Sequence, residues 1–308
     1  MKACVDIGGT KVAVSLAKAG STDLIARQNA PTAKTGDNEA VARQVMQLIE
    51  AACAEAGVPV PEVDQVGVSS AGPFVLQGGA IALATPNICG GLAGPDRGLP
   101  NDWTFAPIEA PLAARFGRVR VENDAVAALE AERRWGALQG QDHCAYVTWS
   151  TGVGVGLCVD GRTLRGKNGN AGHAGHLFVS DDDNEALCGC GNRGDVESLV
   201  AGNAIARRFG VDAAALFGAA QQGDAKALAT VDALCRVMGR LLYNLVAALD
   251  LSRISLGGSV FWHNRDFLLP RLQAQLEGRL PSLTDGVQLV AAGLGDKVGD
   301  YAALALVD

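Results

Sequence analysis

Asp6-Ile-Gly-Gly-Thr-Lys11 joins two short apolar, β-branched runs, residues 2–6 and 11–18. Runs of this kind around two glycines read as a β-hairpin whose turn is residues 7–10. The aspartate closing the first strand and the glycines that follow it have a chemical use. Gly8 and Gly9 let phosphate oxygens approach backbone N–H groups, Thr10 adds a hydroxyl, and the Asp6 carboxylate can hold a hydrated Mg²⁺. A plain Gly-Gly hairpin turn fits the stretch equally well when it is read alone, and the pattern is not the Walker phosphate loop.

The same unit recurs half a chain later. Residues 143–149 read as a strand, Ser150-Thr151-Gly152-Val153-Gly154 as a turn of small residues, and residues 155–160 as a second strand. Two strand–glycine turn–strand units imply two related lobes. Between them the period changes to that of helices. Residues 37–57 place Val41, Val45, Leu48 and Ala52 on one face, with Asp37 as the expected N-cap and Gly57 as the stop. Residues 63–70 form the next strand, ending in a small-residue turn at Ala71-Gly72-Pro73 through which a ligand can come close. Residues 119–121 form another, leading into Glu122-Asn123-Asp124 and a helix. Such a strand-to-helix junction is where open α/β sheets present groups to ligands, although a simple helix cap has the same composition. Further on, residues 198–249 read as helical, 253–260 as a strand ending in Gly257-Gly258, 264–279 as a helix and 287–291 as a strand, with a last helix from about Gly299. The glycine- and proline-rich stretch from Thr85-Pro-Asn87 to Trp103 is a candidate lid; a tolerated insertion reads the same way, except at Asn87.

Composition narrows the function. A chain of 308 residues, 48% apolar and 19% charged, suits two lobes of ordinary size. Its net charge of −7 gives no electrostatic footprint for nucleic acid or an anionic membrane. No apolar run approaches the roughly eighteen residues needed to span a bilayer, and the start of the chain lacks the pattern of a signal peptide, so a cytoplasmic protein is expected. Most of the eight cysteines lie in apolar segments, as reduced buried thiols do.

Cys188 and Cys190 stand apart from those six. Within thirty residues the chain gathers Gly169-Asn-Ala-Gly-His173-Ala-Gly-His176 and Cys188-Gly-Cys190-Gly-Asn-Arg-Gly-Asp195-Val-Glu197. Imidazole and two thiolates suit structural zinc, with Asp195 as a harder fourth ligand. Zinc with Asp195, zinc with three residues and a water, and no zinc at all remain open readings of the residues.

The opening Asp-Ile-Gly-Gly-Thr-Lys, the Asn123-Asp124-Ala-x-Ala-Ala-Leu junction and the Cys-x-Cys cluster resemble, in order and over essentially the whole chain, the ROK sugar kinases. The resemblance implies an α/β, two-lobed actin-like ATPase (ribonuclease H-like) fold of ROK type. Residues 1–118 with the returning helix 297–308 would form the N-terminal lobe, and residues 119–296 the C-terminal lobe. It implies an ATP- and Mg²⁺-dependent kinase acting on the 6-hydroxyl of a hexose or N-acylhexosamine, with ATP or polyphosphate as donor, no nucleic-acid or membrane partner, and a homodimer. Asp6, Gly8, Gly9, Thr10, Lys11, Thr151, Gly152, Gly154, Gly257 and Gly258 would meet the nucleotide. Gly72, Asn87, Asn123, Asp124, His173, His176 and Glu197 would meet the sugar, with Asp124 as the base. His176, Cys188, Cys190 and the position of Asp195 would hold zinc; the family pattern has Cys at the last.

Position 173 departs from the pattern too. Most hexokinase-like members carry Glu there, and Gly-His173-Ala-Gly-His176 resembles the bacterial N-acetylmannosamine kinases. Histidine offers one acceptor and a donor where glutamate offers acceptors alone, so the hydroxyls recognised must differ. The family also includes non-catalytic sugar-binding regulators, whose repressors carry a DNA-binding segment ahead of the first phosphate loop; only five residues precede Asp6 here, and an enzyme is expected.

Overall fold

A computed structural model of the protein describes residues 1–92, 98–180 and 187–307. It comprises two compact units, one of Met1–Ala131, Arg165–Ala171 and Gly299–Asp308, the other of Glu132–Leu164 and Gly172–Val298.

In the first unit, strands β1 (Lys2–Ile7), β2 (Lys11–Ala17), β3 (Ile25–Pro31), β4 (Gln65–Ser70) and β8 (Arg118–Asn123) form one sheet in the order β3-β2-β1-β4-β8. A smaller sheet holds β5 (Phe74–Gln77), β6 (Ala80–Leu83) and β7 (Ala106–Pro107). β1 and β4 are buried along nearly their whole length, as central strands covered on both faces must be. Gly67 is part of that covering: a Cβ there would lie 2.1 Å from the carbonyl oxygen of Ala303 in the terminal helix. The expected boundary at 118/119 falls at the start of β8, which pairs with β4 in this sheet. The division falls instead inside the helix that follows β8, Asp124–Trp135.

The second unit repeats the plan. β9 (Cys144–Trp149), β10 (Val153–Val159), β11 (Arg162–Thr163), β12 (Arg253–Gly257) and β13 (Gln288–Ala291) take the order β11-β10-β9-β12-β13. In each sheet the first strand pairs antiparallel with the second and parallel with the fourth, which pairs parallel with the fifth. The duplicated hairpin seen in the sequence is thus the visible part of a duplicated sheet.

Helices α1 (Ala40–Ala56), α2 (Glu109–Phe116) and α3 (Asp124–Trp135) follow the strands of the first sheet. The N-cap position of α1 is Glu39, which makes no side-chain cap bond, and not Asp37; Asp37 Oδ1 accepts the Glu39 N–H at 3.0 Å and binds Arg43 in the first turn of the helix. Gly57 ends it in the left-handed conformation, as expected. The helical stretch from 198 resolves into α4 (Val196–Val200), α5 (Gly202–Phe209), α6 (Ala213–Gln221) and α7 (Ala225–Leu249), cut where Asp195, Asp212 and Asp224 cap new starts. Short helices α8 (Ser259–His263), α9 (Arg265–Gln273) and α10 (Pro281–Thr284) precede β13, and α11 (Val298–Ala305) follows it. Among the described residues none of the eight cysteines is in a disulfide. Among the described residues no helix is long and apolar enough to cross a membrane.

Candidate functional site

Parallel pairing sets Ile7, Ser70 and Asn123 in one row across β1, β4 and β8. The residues that follow them, Gly8, Ala71 and Asp124, therefore leave the sheet at one edge. With neighbouring strands ~4.8 Å apart, Asp124 starts about 10 Å from the first glycine turn. That turn is braced from outside: Thr32 donates its hydroxyl to the Gly8 carbonyl at 2.7 Å, and its N–H to the Thr10 carbonyl at 3.1 Å. Gly9 is obligatory, because a Cβ would lie 2.7 Å from the Cβ of Asn87. Asn87 and the turn are thus neighbours. Gly72 follows the same edge and precedes Pro73 through a cis peptide.

Asn123 is buried and Asp124 exposed, and each accepts the Ala125 N–H through Oδ1, at 3.0 and 2.8 Å. The Asp124 carboxylate thus stands at the amino end of α3, where the helix dipole favours negative charge. Asp6 keeps solvent access, yet the protein packed around it raises its carboxyl above the ordinary range against the pull of Lys11 and Arg27. A divalent cation beside it would act in the opposite direction.

In the second unit the turn is Ser150–Gly152; Gly154, expected within it, is already in β10 opposite Thr148. Gly257 pairs with that same Thr148, so the second glycine turn and Gly258 share an edge. Both glycines are fixed by packing: a Cβ on Gly257 would meet the Tyr146 hydroxyl at 2.3 Å, and one on Gly258 the Thr148 Oγ1 at 2.5 Å.

The motif Gly172-His173-Ala-Gly175-His176 lies against β10 for the same reason. Cβ atoms on Gly172 and Gly175 would each come within 2.1 Å of a β10 carbonyl, that of Val155 or Val153. The two imidazoles are 6.2 Å apart. His176 turns Nδ1 toward Asp195 Oδ2 at 3.2 Å and Cys188 Sγ at 3.7 Å, and Cys190 Sγ lies 3.5 Å from the same Oδ2. The donor atoms of all four residues lie within 4.8 Å of one another. A tetrahedral zinc with bonds of about 2.0–2.3 Å spaces its ligands about 3.3–3.8 Å apart; the 3.5 and 3.7 Å spacings fall in that range and the 3.2 Å one just short of it.

Asp195 solves two problems with two oxygens. Oδ1 caps α4 by accepting the Ser198 N–H at 2.7 Å, which leaves Oδ2 for the cluster. Burial alone would raise its carboxyl, but hydrogen bonds from His176, Ser198 and Cys188 bring it down to about 2. The same hydrogen bond is the main reason the His176 imidazole is raised. Burial pushes the Cys188 thiol up, a bias that coordination to a cation reverses.

Several residues that shape the site carry no motif. Glu122, buried beside Asn123, takes Arg120 and Arg165 on Oε1 at 3.2 and 2.9 Å, while Oε2 has no hydrogen-bond partner among the described residues. Asn170 clamps the Phe74 backbone, accepting its N–H and donating to its carbonyl, both at 2.8 Å. The candidate lid is tied down at its ends by Asn101, which bonds Gly90, Lys34 and Ile88, and by the buried Trp103. Its centre, residues 93–97, lies outside the described residues.

A sheet of this order occurring twice in one chain, each with a glycine turn after its first strand, defines an actin-like ATPase fold. The chain belongs to the ROK family, whose model matches residues 2–308. It is 31% identical over 324 aligned positions to a glucokinase of Aeropyrum pernix, covering 98% of this chain and 95% of that one. Against an N-acetylmannosamine kinase of Haemophilus influenzae it is 31% identical over 262 positions, covering 83% and 79%. Among solved structures, the ROK hexokinase from Thermus thermophilus is 34% identical with a TM-score of 0.75, covering 99% and 97%.

Proposed function

We propose that this protein is an ATP-dependent sugar kinase that transfers the γ-phosphoryl group to the 6-hydroxyl of a hexose or N-acylhexosamine. The observation that carries the reading is the row Ile7–Ser70–Asn123, which sends the first glycine turn and Asp124 out of one sheet edge. A sugar binder without chemistry has no need of a phosphate turn and an exposed carboxylate side by side. Relatives named glucokinase and N-acetylmannosamine kinase support the same class.

In this reading Asp124 accepts the proton of the attacking hydroxyl, and Asn123, Gly72 and Asn87 orient the sugar beside it. Backbone N–H groups of Gly8–Thr10 and of Thr151–Gly152 receive the phosphates, and Gly257–Gly258 the adenosine. Asp6 would hold a hydrated Mg²⁺, which would supply charge neutralisation on the transferred group. His173, His176 and Glu197 complete the sugar set. His176 can serve both metal and sugar because its Nδ1 faces the cluster, leaving Nε2 for a hydroxyl. Zinc held by His176, Cys188, Cys190 and Asp195 would be structural, since closing that loop fixes the backbone presenting both histidines. His173 brings a donor where glutamate would bring acceptors alone, so the groups recognised at that end of the sugar differ, and the Gly-His-x-Gly-His motif supports an N-acetylmannosamine-type acceptor beside the glucose alternative.

The test is Asp124→Asn. Transfer should fall by roughly 10²–10⁴ while sugar binding stays measurable by calorimetry; near-normal turnover removes Asp124 as the base. A coupled assay over glucose, mannose, fructose, N-acetylglucosamine and N-acetylmannosamine, each with ATP or polyphosphate, assigns the acceptor and donor.

A further inference from the structure

Glu197 stands on the first turn of α4, two residues past the cap Asp195, and its carboxylate reaches back to the second glycine turn. Oε2 accepts the N–H of Val153, the first residue of β10, at 2.9 Å. The same oxygen lies 2.6 Å from where a Gly152 Cβ would stand, so a side chain there would displace the Glu197 carboxylate from the turn. Oε1 faces Cys188 Sγ at 3.6 Å.

The rest of the turn is held by backbone bonds and by one side-chain pair, the Ser150 and Ser259 hydroxyls, 2.9 Å apart. Ser150 N–H bonds the Gly152 carbonyl at 2.9 Å, and the α4–α5 junction returns the Gly202 N–H to the Ser150 carbonyl at 2.8 Å. Just before the turn, the Trp149 indole N–H bonds the Val200 carbonyl at 2.7 Å. These bonds fix where the turn starts. The Glu197 carboxylate is bonded where it ends, and an ionised acceptor makes that the stronger type of hydrogen bond. The length of this side chain therefore sets how the Thr151 and Gly152 N–H groups are aimed.

We propose that Glu197 is a positioning residue for the nucleotide, acting through the Val153 N–H on the second glycine turn, in addition to any contact with sugar. This rests on the reading of that turn as a phosphate site. A sugar-only role makes a different claim, because nucleotide affinity without sugar would then be indifferent to residue 197.

Three variants separate reach from charge. Glu197→Asp keeps the charge but is one methylene short of Val153; Glu197→Gln keeps the reach and an acceptor oxygen but loses the charge; Glu197→Ala loses both. The readout is the affinity for a non-hydrolysable ATP analogue with Mg²⁺, measured by calorimetry without sugar, with circular dichroism reporting the fold. Loss of one charge-assisted hydrogen bond predicts about tenfold weaker binding for Asp and Ala, and Gln within about threefold of wild type. The inference is overturned if all three bind the analogue like wild type, or if Gln weakens as much as Asp. Should one shortened variant fail to fold, the other carries the comparison with Gln. If wild-type protein itself binds no nucleotide, the kinase reading has failed instead.

Discussion

Glu132 is fully buried in the last turns of α3, yet it is a carboxylate. Its Oε2 accepts the N–H of Ala137 at 2.8 Å, the N–H of Gly293 at 2.9 Å and the Ser255 hydroxyl at 3.2 Å; Oε1 accepts the N–H of Leu294 at 2.9 Å. It thereby ties the end of α3 to the chain that follows β13. The uneven division between the oxygens makes the cost of substitution calculable. Glu132→Gln can place its oxygen at the Oε2 position and keep three partners, but its amide nitrogen then faces the Leu294 N–H, donor against donor. One charge-assisted bond is lost, worth about 1.5–3 kcal/mol. Glu132→Ala strands three backbone donors and a hydroxyl. At about 1–3 kcal/mol for each stranded donor, plus the cavity, it should cost at least about 4–6 kcal/mol, a large part of a domain's stability. Urea midpoints rank the two variants, and hydrogen exchange locates the effect. Gln should speed exchange chiefly at Leu294, Ala at Ala137, Gly293 and Leu294 together. Equal losses for both variants, or unchanged protection at 293–294, would refute the hydrogen-bond account.

Asp195→Asn retains an oxygen for the α4 cap and removes the anionic ligand, whereas Asp195→Ala removes both. Zinc content after purification should fall in each, and with a chelator present only Ala should lose the roughly 1 kcal/mol of the cap; full zinc loading of the Asn variant would exclude Asp195 as a ligand. Glu122 gives a pH test, because burial raises its carboxyl above the ordinary 4.5 despite Arg165 and Arg120. The folded state then binds the proton more tightly than the unfolded one, so this group's contribution is most favourable below pH 4.5 and is lost as pH rises through the raised value. Stability profiles of wild type and Glu122→Gln should diverge in that window, with the flatter curve for Gln, and parallel profiles would contradict it.

The hairpins were legible because β1 and β9 are buried on both faces and so read as unbroken apolar runs beside glycine. β3 was not, because an edge strand whose residues alternate between exposed and half-buried leaves no apolar period to find. The four-residue strands β5 and β6 are too short to carry one. Glu132 did leave a signal, a charge in the helical stripe with Ala128 and Leu129, which marks a buried group whose partners lie elsewhere in the chain. No local pattern could supply Gly293 and Leu294, about 160 residues away, as those partners.

The cysteine cluster shows why one position can mislead a motif. In the sequence Asp195 looks like a missing ligand, since the family has Cys there. In the fold the residue is also a helix N-cap, a role in which aspartate excels and cysteine does not. A carboxylate can cap with one oxygen and face the cluster with the other, so aspartate here firms α4 and would offer any bound metal a harder ligand than sulfur. Glu197 rides on that helix, and its carboxylate reaches the second glycine turn. The substitution is therefore felt beyond the cluster: whatever steadies α4 steadies the hydrogen bond to Val153.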